Sequence, residues 1–390
     1  MIRETLLLVA ALAAGAPAQN SAGAGAGLGA AGPDSTLVLT GGRYLDVRAG
    51  VLRENGAMVL RGGRIVAIHA PGEHWPVPVG ASVRRLEGQT ILPGLIDAHV
   101  HLTLAGQPKA NAAATLRAGF TTVIDLGSVG VGGTGLRDAI AAGRLAGPRV
   151  IAAGSWIGTR GGVCEFGGAT VTSETEAGAR ARSDIAAGAD LLKVCVTGWP
   201  ADAVAAPDSV ELKAPLLAAV LSAARDAKRP VYAHAIGRAG ALLAVRSGVR
   251  ALAHTPVVDS ADAAHLAESG VFVISTLATL SRGPGGTDVR QSFQRLHRAG
   301  ARIVMGTDAG VLAHGRNADE LVALVSAGLT PLEALRSATL APAALLGATD
   351  VGEIAVGARA DLLLVEGDPL RDISKISTPL LVIQAGRVAP

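Results

Sequence analysis

Apolar and polar positions alternate in two distinct ways along this chain. Over residues 35–88, short strand-like apolar runs at 36–40, 57–60 and 64–68 are cut by glycines. Gly41-Gly42 and Gly62-Gly63 read as tight turns, and the pattern predicts a small antiparallel sheet. It returns near the end of the chain, at 360–365 and 380–384, before Gly386. Two β-rich ends around a different middle predict one composite β-sandwich built from residues 35–90 and 350–390.

The middle, residues 91–349, alternates apolar runs with amphipathic helical stretches, the mark of repeated βα units. The predicted strands are 94–102, 121–126, 149–155, 191–197, 230–235, 251–255, 271–276 and 302–307. Eight such runs, each followed by a helical stretch, predict a closed (β/α)8 TIM barrel. An open doubly wound sheet is disfavoured, because no glycine-rich phosphate loop follows the first run. A last helical pair, 317–327 and 331–346, precedes the returning sheet. The fold class is therefore α/β, a barrel with a small sandwich.

Composition supports a large core and narrows the partners. Hydrophobic residues make up 49% of the 390 and charged residues 17%, which argues against disorder over most of the length. Aromatics are only 2%, so the core is built from Ala, Val and Leu, and an aromatic platform for nucleic acid is not expected. The net charge of +3 is dispersed rather than clustered, which suits a small-molecule or dipeptide-like substrate better than a polyanion. Self-association is left open.

The N-terminus reads as a secretory signal peptide over residues 1–18. Arg3 precedes an apolar stretch from Leu6 to Ala14, and Ala16-Pro17-Ala18 resembles a cleavage site before Gln19. That stretch is far shorter than the ~20 residues a membrane span needs. Residues 19–34 read as a flexible lead-in. Export to a periplasmic or extracellular space is the expectation. Cys164 and Cys195 are too few for a disulfide framework; their pairing is left open, and each is by default a small buried hydrophobe.

Polar side chains stand at the C-terminal ends of five predicted strands, the end where such barrels place their chemistry. They are His99 and His101 on the first, Lys193 on the fourth, His234 on the fifth, His254 on the sixth and Asp308 after the eighth. Residues i and i+2 of a strand share a face, so the imidazoles of His99 and His101 can meet one ion. Singly, each residue has a plainer explanation: a hydrogen-bonded core histidine, a salt-bridged lysine, a capping aspartate. Jointly, burying them with no metal would leave several polar groups unpaired. His69, His74, His265, His297 and His314 lie outside the pattern and read as structural or surface residues. Tyr232 is either a donor to a developing oxyanion or a packed ring. Arg160, in the loop 158–166, is either a substrate-carboxylate binder or a surface residue. The loop 198–202 is a lid candidate.

At these residues the sequence resembles the amidohydrolase superfamily. The carriers are Leu92-Pro93-Gly94-Leu95-Ile96-Asp97-Ala98-His99-Val100-His101, Gly306-Thr307-Asp308 and Val356-Gly357-Ala358-Arg359-Ala360-Asp361-Leu362. A lysine on the fourth strand followed by single histidines on the fifth and sixth is similar to the imidazolonepropionase-like and prolidase-like branch. That branch includes dipeptidases acting on a C-terminal residue and ochratoxin-type amidases; the loop 158–166 departs from its Gly-Gly-His pattern. The resemblance implies two divalent ions, zinc being expected, bridged by a carboxylated Lys193. It places His99, His101 and Asp308 on one ion and His234 and His254 on the other. It also implies amide hydrolysis by an activated water, with Asp308 moving the proton. Opening of a lactone or cyclic amide at the same metals is the alternative, and a non-catalytic scaffold on the same fold is a third reading.

Overall fold

The computed structural model describes residues 35–206 and 208–390; the expected leader and lead-in lie outside them. The first strands are β1 (Leu37–Thr40), β2 (Arg43–Asp46), β3 (Val51–Glu54), β4 (Ala57–Arg61), β5 (Arg64–His69), β6 (Ser82–Arg85) and β7 (Gln89–Pro93). The next eight are β8 (Leu95–Val100), β9 (Phe120–Asp125), β10 (Arg149–Ile157), β11 (Leu191–Cys195), β12 (Val231–His234), β13 (Ala251–Ala253), β14 (Phe272–Ile274) and β15 (Arg302–Val304). The last are β16 (Leu362–Glu366), β17 (Leu381–Gln384) and β18 (Arg387–Val388).

The terminal strands form two sheets, ordered β5-β4-β1-β6 and β18-β17-β16-β7-β2-β3. The second joins both ends of the chain. Leu39, Met58, Leu60 and Ile65 from the N-terminal side pack with Leu362, Leu364 and Ile383 from the C-terminal side. The expected antiparallel sheet is in fact mixed, because β1 runs parallel to β6 and β2 parallel to β7. The reason lies in the first glycine pair. Gly41-Gly42 closes no hairpin, since β1 and the following β2 belong to different sheets. Gly62-Gly63 does close the β4–β5 hairpin, and both residues have the positive φ (+58° and +75°) that a two-residue hairpin loop of this kind requires.

Strands β8 to β15 run parallel in sequence order. The barrel closes just beyond β15, where Ala98 N–H donates to Met305 O (3.1 Å) and Asp308 N–H donates to His99 O (2.8 Å). Period-two alternation then sorts the side chains. Leu191, Tyr232, Ala251, Ala253, Phe272, Ile274 and Val304 fill the barrel interior. Leu192, Val194, Val231, Ala233, Leu252 and Val273 face outward. They meet alanine-rich helices such as Glu174–Ala186 and Ala214–Asp226, whose small side chains allow close approach. β10 runs past its predicted end to Ile157, whereas β15 stops at Val304 and leaves Gly306-Thr307-Asp308 in a loop.

Cys164 and Cys195 are joined by a disulfide that ties the loop after β10 to the end of β11, across 31 residues. Closing a loop of that size stabilises the native state by about 3–4 kcal/mol in the chain-entropy model. The unreduced protein, once denatured, should therefore show no free thiol to a thiol reagent. The Cys164→Ser/Cys195→Ser double variant should unfold at lower denaturant. Two titratable thiols in the unreduced chain, or an unchanged unfolding midpoint, would contradict this.

Candidate active site

The six polar residues singled out from the strand ends are brought together at the C-terminal mouth of the barrel, and all are buried. His99 Nε2, His101 Nε2 and Asp308 Oδ1 converge, with pairwise distances of 3.2, 3.3 and 3.1 Å. Ligands bonded to a tetrahedral divalent ion at 2.0–2.2 Å stand ~3.3 Å apart, so this spacing fits one ion. His254 adjoins the group: its ring lies 4.7 Å from that of His99 and 4.5 Å from that of His234. Donor atoms of His99, His254 and Asp308 all lie within 4.8 Å of one another.

Backbone conformation, as much as strand position, aims these side chains. On β13 the alternation points Ala253 inward, so an unperturbed His254 would turn away from the barrel. It is turned back by a φ of +113°. Asp308 (φ +59°) and Thr276 (φ +52°) are also left-handed. Such conformations cost non-glycine residues of order 1–3 kcal/mol each and survive only where neighbours hold them. Gly306 explains why Asp308 approaches so closely. A Cβ there would overlap Ile274 Cγ2 and stand 2.9 Å from His99 Cβ, prising the last strand from the first.

A second layer fixes which nitrogen faces inward for three of the four rings. His254 Nδ1 meets Thr276 Oγ1 at 2.9 Å, His101 Nδ1 meets Gly127 O at 3.4 Å, and His234 Nε2 meets Gly198 O at 3.3 Å. Burial, with Lys193 and the neighbouring rings adding to it, holds His99 and His254 well below the usual imidazole range. His234 is pushed down to about 3, first by burial and then by Lys193. All three rings are thus neutral at physiological pH, with lone pairs available.

Lys193 is the decisive member. By register its Cα is level with that of Tyr232, one pleat below His234, and its long side chain carries the amine up among the imidazoles. Lys193 Nζ is buried and has no hydrogen-bond partner, and His99 Nδ1 is likewise unpartnered. Burial lowers the amine to about 7, against the opposing pull of Asp308. An unpaired amine inside a ring of lone pairs fits a group that a bound species must complete.

Two expected site residues are not brought to this group. Tyr232 shares a face with His234 but not a layer. Two residues along a strand is ~6.6 Å, and its ring lies among Ala98, Ala251 and Phe272 in the barrel core. Burial raises its hydroxyl, and Arg250, at the start of β13, is the charge acting on it. The Tyr232 ring is packed in the core, a layer away from the donor atoms. Arg160 is exposed and lies beside Glu176.

Other groups around the site carry no obvious sequence signal. Asp97 Oδ1 accepts from His99 N–H and Thr307 N–H (both 3.1 Å), while Oδ2 accepts from Thr307 Oγ1 (2.7 Å) and Asn317 Nδ2 (2.8 Å). It thereby clamps the first strand to the Asp308 loop. Burial pushes its carboxyl up to about 6, against the pull of those four donors. Glu320, fully buried, accepts from Leu277 N–H, Ala278 N–H and Ser275 Oγ, bracing the segment that carries Thr276. Asp97 stands within the opening motif, so its position could have flagged it; Glu320 looks like any helix glutamate.

The match to the family model described as "Amidohydrolase family" spans residues 90–389. The chain belongs to the amidohydrolase family. Among curated proteins it is 26% identical over 358 residues to an ochratoxinase of Aspergillus niger, covering 75% of this chain and 73% of that protein. It is 29% identical to adenine deaminase 2 of Rhizobium etli over 90% of this chain, though it spans only 56% of that longer protein. Among solved structures, a Xaa-Pro dipeptidase with bound methionine superposes with a TM-score of 0.83 at 28% identity, over 91% of this chain and 99% of that one. The amidohydrolase barrel and its flanking sheets are thus shared at the level of the whole fold.

The Asp97 clamp generates a prediction. Asp97→Ala would strand four donors, three of them backbone or hydroxyl groups in a dry interior, at about 1–3 kcal/mol apiece before relaxation. A loss of at least about 3 kcal/mol in urea unfolding is expected, with Asp97→Asn milder. A loss below about 1 kcal/mol for the alanine variant would show that the network is not holding the seam.

Proposed function

We propose that this amidohydrolase is a metal-dependent enzyme cleaving amide bonds in a dipeptide-like or N-acyl amino acid substrate. The observation that carries the reading is the unpartnered amine of Lys193, buried among imidazoles beside Asp308. A cation there would be repelled by any metal. Loss of a proton and addition of carbon dioxide would turn the amine into a carbamate whose two anionic oxygens can bridge two cations. The lowered proton affinity favours that addition, because only the neutral amine is nucleophilic.

His99, His101 and Asp308 would hold one divalent ion and His234 and His254 the other, zinc suiting nitrogen and oxygen ligands of this kind. The ions would supply Lewis acidity and an activated water. Within the chain, Asp308 has the position of the proton carrier: its Oδ1 faces the His99–His101 pair at the mouth, where it can hold a proton and release it to a leaving nitrogen. The names of the relatives, an ochratoxinase and a Xaa-Pro dipeptidase, support an amide target. We also propose export. The Cys164–Cys195 bridge supports an oxidising compartment, and among the described residues no helix is long and apolar enough to cross a membrane. A secreted form beginning near Gln19 is the test of that reading.

Elemental analysis should find about two divalent ions per chain, as a six-ligand set implies. Lys193→Ala should lose the paired-ion state and recover part of it with small carboxylates. Activity that survives exhaustive chelation, or a Lys193→Ala protein with both ions and full rate, would overturn the proposal. Asp308→Asn should keep the fold and lose on the order of 10²-fold or more in kcat on a library of N-acyl amino acids and dipeptides. A raised KM with unchanged kcat would instead make Asp308 a substrate-binding residue.

A further inference from the structure

Exposed apolar side chains are not scattered over the barrel. Among its described residues, the large exposed ones are Val129, Val131, Phe166, Val204 and Val311. Each sits on the segment that follows the C-terminal end of a strand, β9, β10, β11 or β15, with Val204 on the short helix Pro200–Ala205 and Phe166 on the helical turn Glu165–Gly167. Among the described residues, the barrel's large exposed apolar groups are therefore confined to the rim around the histidines, where they stand between charged side chains such as Arg160 and Glu165. Apolar area concentrated at one functional mouth marks a binding surface.

Three of the chain's nine aromatic residues stand at the same place. The chain has only 3 Trp and 4 Phe, yet Trp156, Trp199 and Phe166 line this mouth. Trp199 lies with its ring centroid 5.5 Å from His234 and 6.0 Å from His254. Trp156 packs 5.3 Å from His101, and its other neighbour, at 5.0 Å, is Phe166, which is 54% exposed. The loop bearing Phe166 is anchored beside β11 by the Cys164–Cys195 bridge. Three arginines on nearby segments are paired with carboxylates, Arg238 with Asp262 and Arg282 and Arg316 with Asp319, while Arg160, on the loop of Phe166, is exposed beside Glu176.

We infer that the substrate carries a large apolar, preferably aromatic, group next to the scissile amide, received by Trp199 on one side and by Phe166 backed by Trp156 on the other. The inference rests on the amide-hydrolase reading and adds the substrate class to it. A small or acidic side chain would leave these rings in water and gain nothing from them. A large apolar one removes ring and rim from solvent together.

The test uses the metal-loaded full chain and a matched set of N-acetyl-phenylalanine, N-acetyl-leucine, N-acetyl-alanine and N-acetyl-aspartate. The phenylalanine and leucine compounds should exceed the alanine compound in kcat/KM by about tenfold or more, with aspartate lowest, the scale of a filled hydrophobic pocket. Phe166→Ala and Trp199→Ala should each cut the phenylalanine-to-alanine ratio at least about fivefold. Phe166→Leu, which keeps apolar bulk at an exposed position, should restore most of it. Binding of N-acetyl-phenylalanine and N-acetyl-aspartate, followed by tryptophan fluorescence, separates the two readings. Selective binding of the aromatic compound without turnover sustains the apolar mouth and removes the hydrolase reading. Turnover with no side-chain preference, or ratios unmoved in both variants, overturns the apolar mouth alone. Burial of the rim in a dimer of this chain, with no effect of dissociation on the ratio, also overturns it.

Discussion

A lysine amine buried without an acceptor is the constraint around which the mouth of this barrel is organised. Left charged, it would stand among imidazoles that offer it no counter-ion beyond Asp308. Burial moves it toward neutrality and, by the same low-dielectric logic, keeps the surrounding rings unprotonated. What results is a ring of lone pairs facing inward. The contacts of His254 with Thr276, of His101 with Gly127 O and of His234 with Gly198 O set the orientation of these three rings before anything binds.

That arrangement is held by the same bonds that close the barrel. Asp308 N–H reaches His99 O across the seam between the first and last strands, and Asp97 grips the same seam from beneath. Gly306 permits the approach because no Cβ intervenes. The left-handed residues Thr276 and Asp308, and the positive φ of His254, are costly in isolation. They persist because Glu320 satisfies the backbone donors on one side of the mouth while Asp97 does so on the other. Site geometry and barrel closure are thus one cooperative unit, and a change that loosens the seam should reach the donor atoms directly.

Below this layer the barrel is a plain packed core of Leu191, Tyr232, Phe272, Ile274 and Val304. Above it, the segments after the strands carry the barrel's large exposed apolar side chains among the described residues. Aromatic and branched side chains cluster there, and one loop is pinned by the molecule's disulfide. Rigid strands carry the donor set and loops carry the recognition surface, the usual division of labour in such barrels.

Much of this was legible in the chain itself. Apolar runs of strand length recur between helical stretches, and polar residues interrupt them at corresponding ends. Local periodicity therefore determined the fold class and named His99, His101, Lys193, His234, His254 and Asp308. Depth along the barrel was not local. Tyr232 shares the face of His234, but the pairing register puts it a pleat lower, in the core. Nor was backbone sign: alternation alone would have turned His254 outward, and a positive φ reverses it. The joining of Cys164 to Cys195, the parallel pairing of β1 with β6, and the clamps made by Asp97 and Glu320 depend on partners far away in sequence. Period and composition are properties of neighbouring residues, and the sequence determines them alone. Layer, ring orientation and satisfied donors are properties of residues brought together by closing the barrel, so only the tertiary structure decides them.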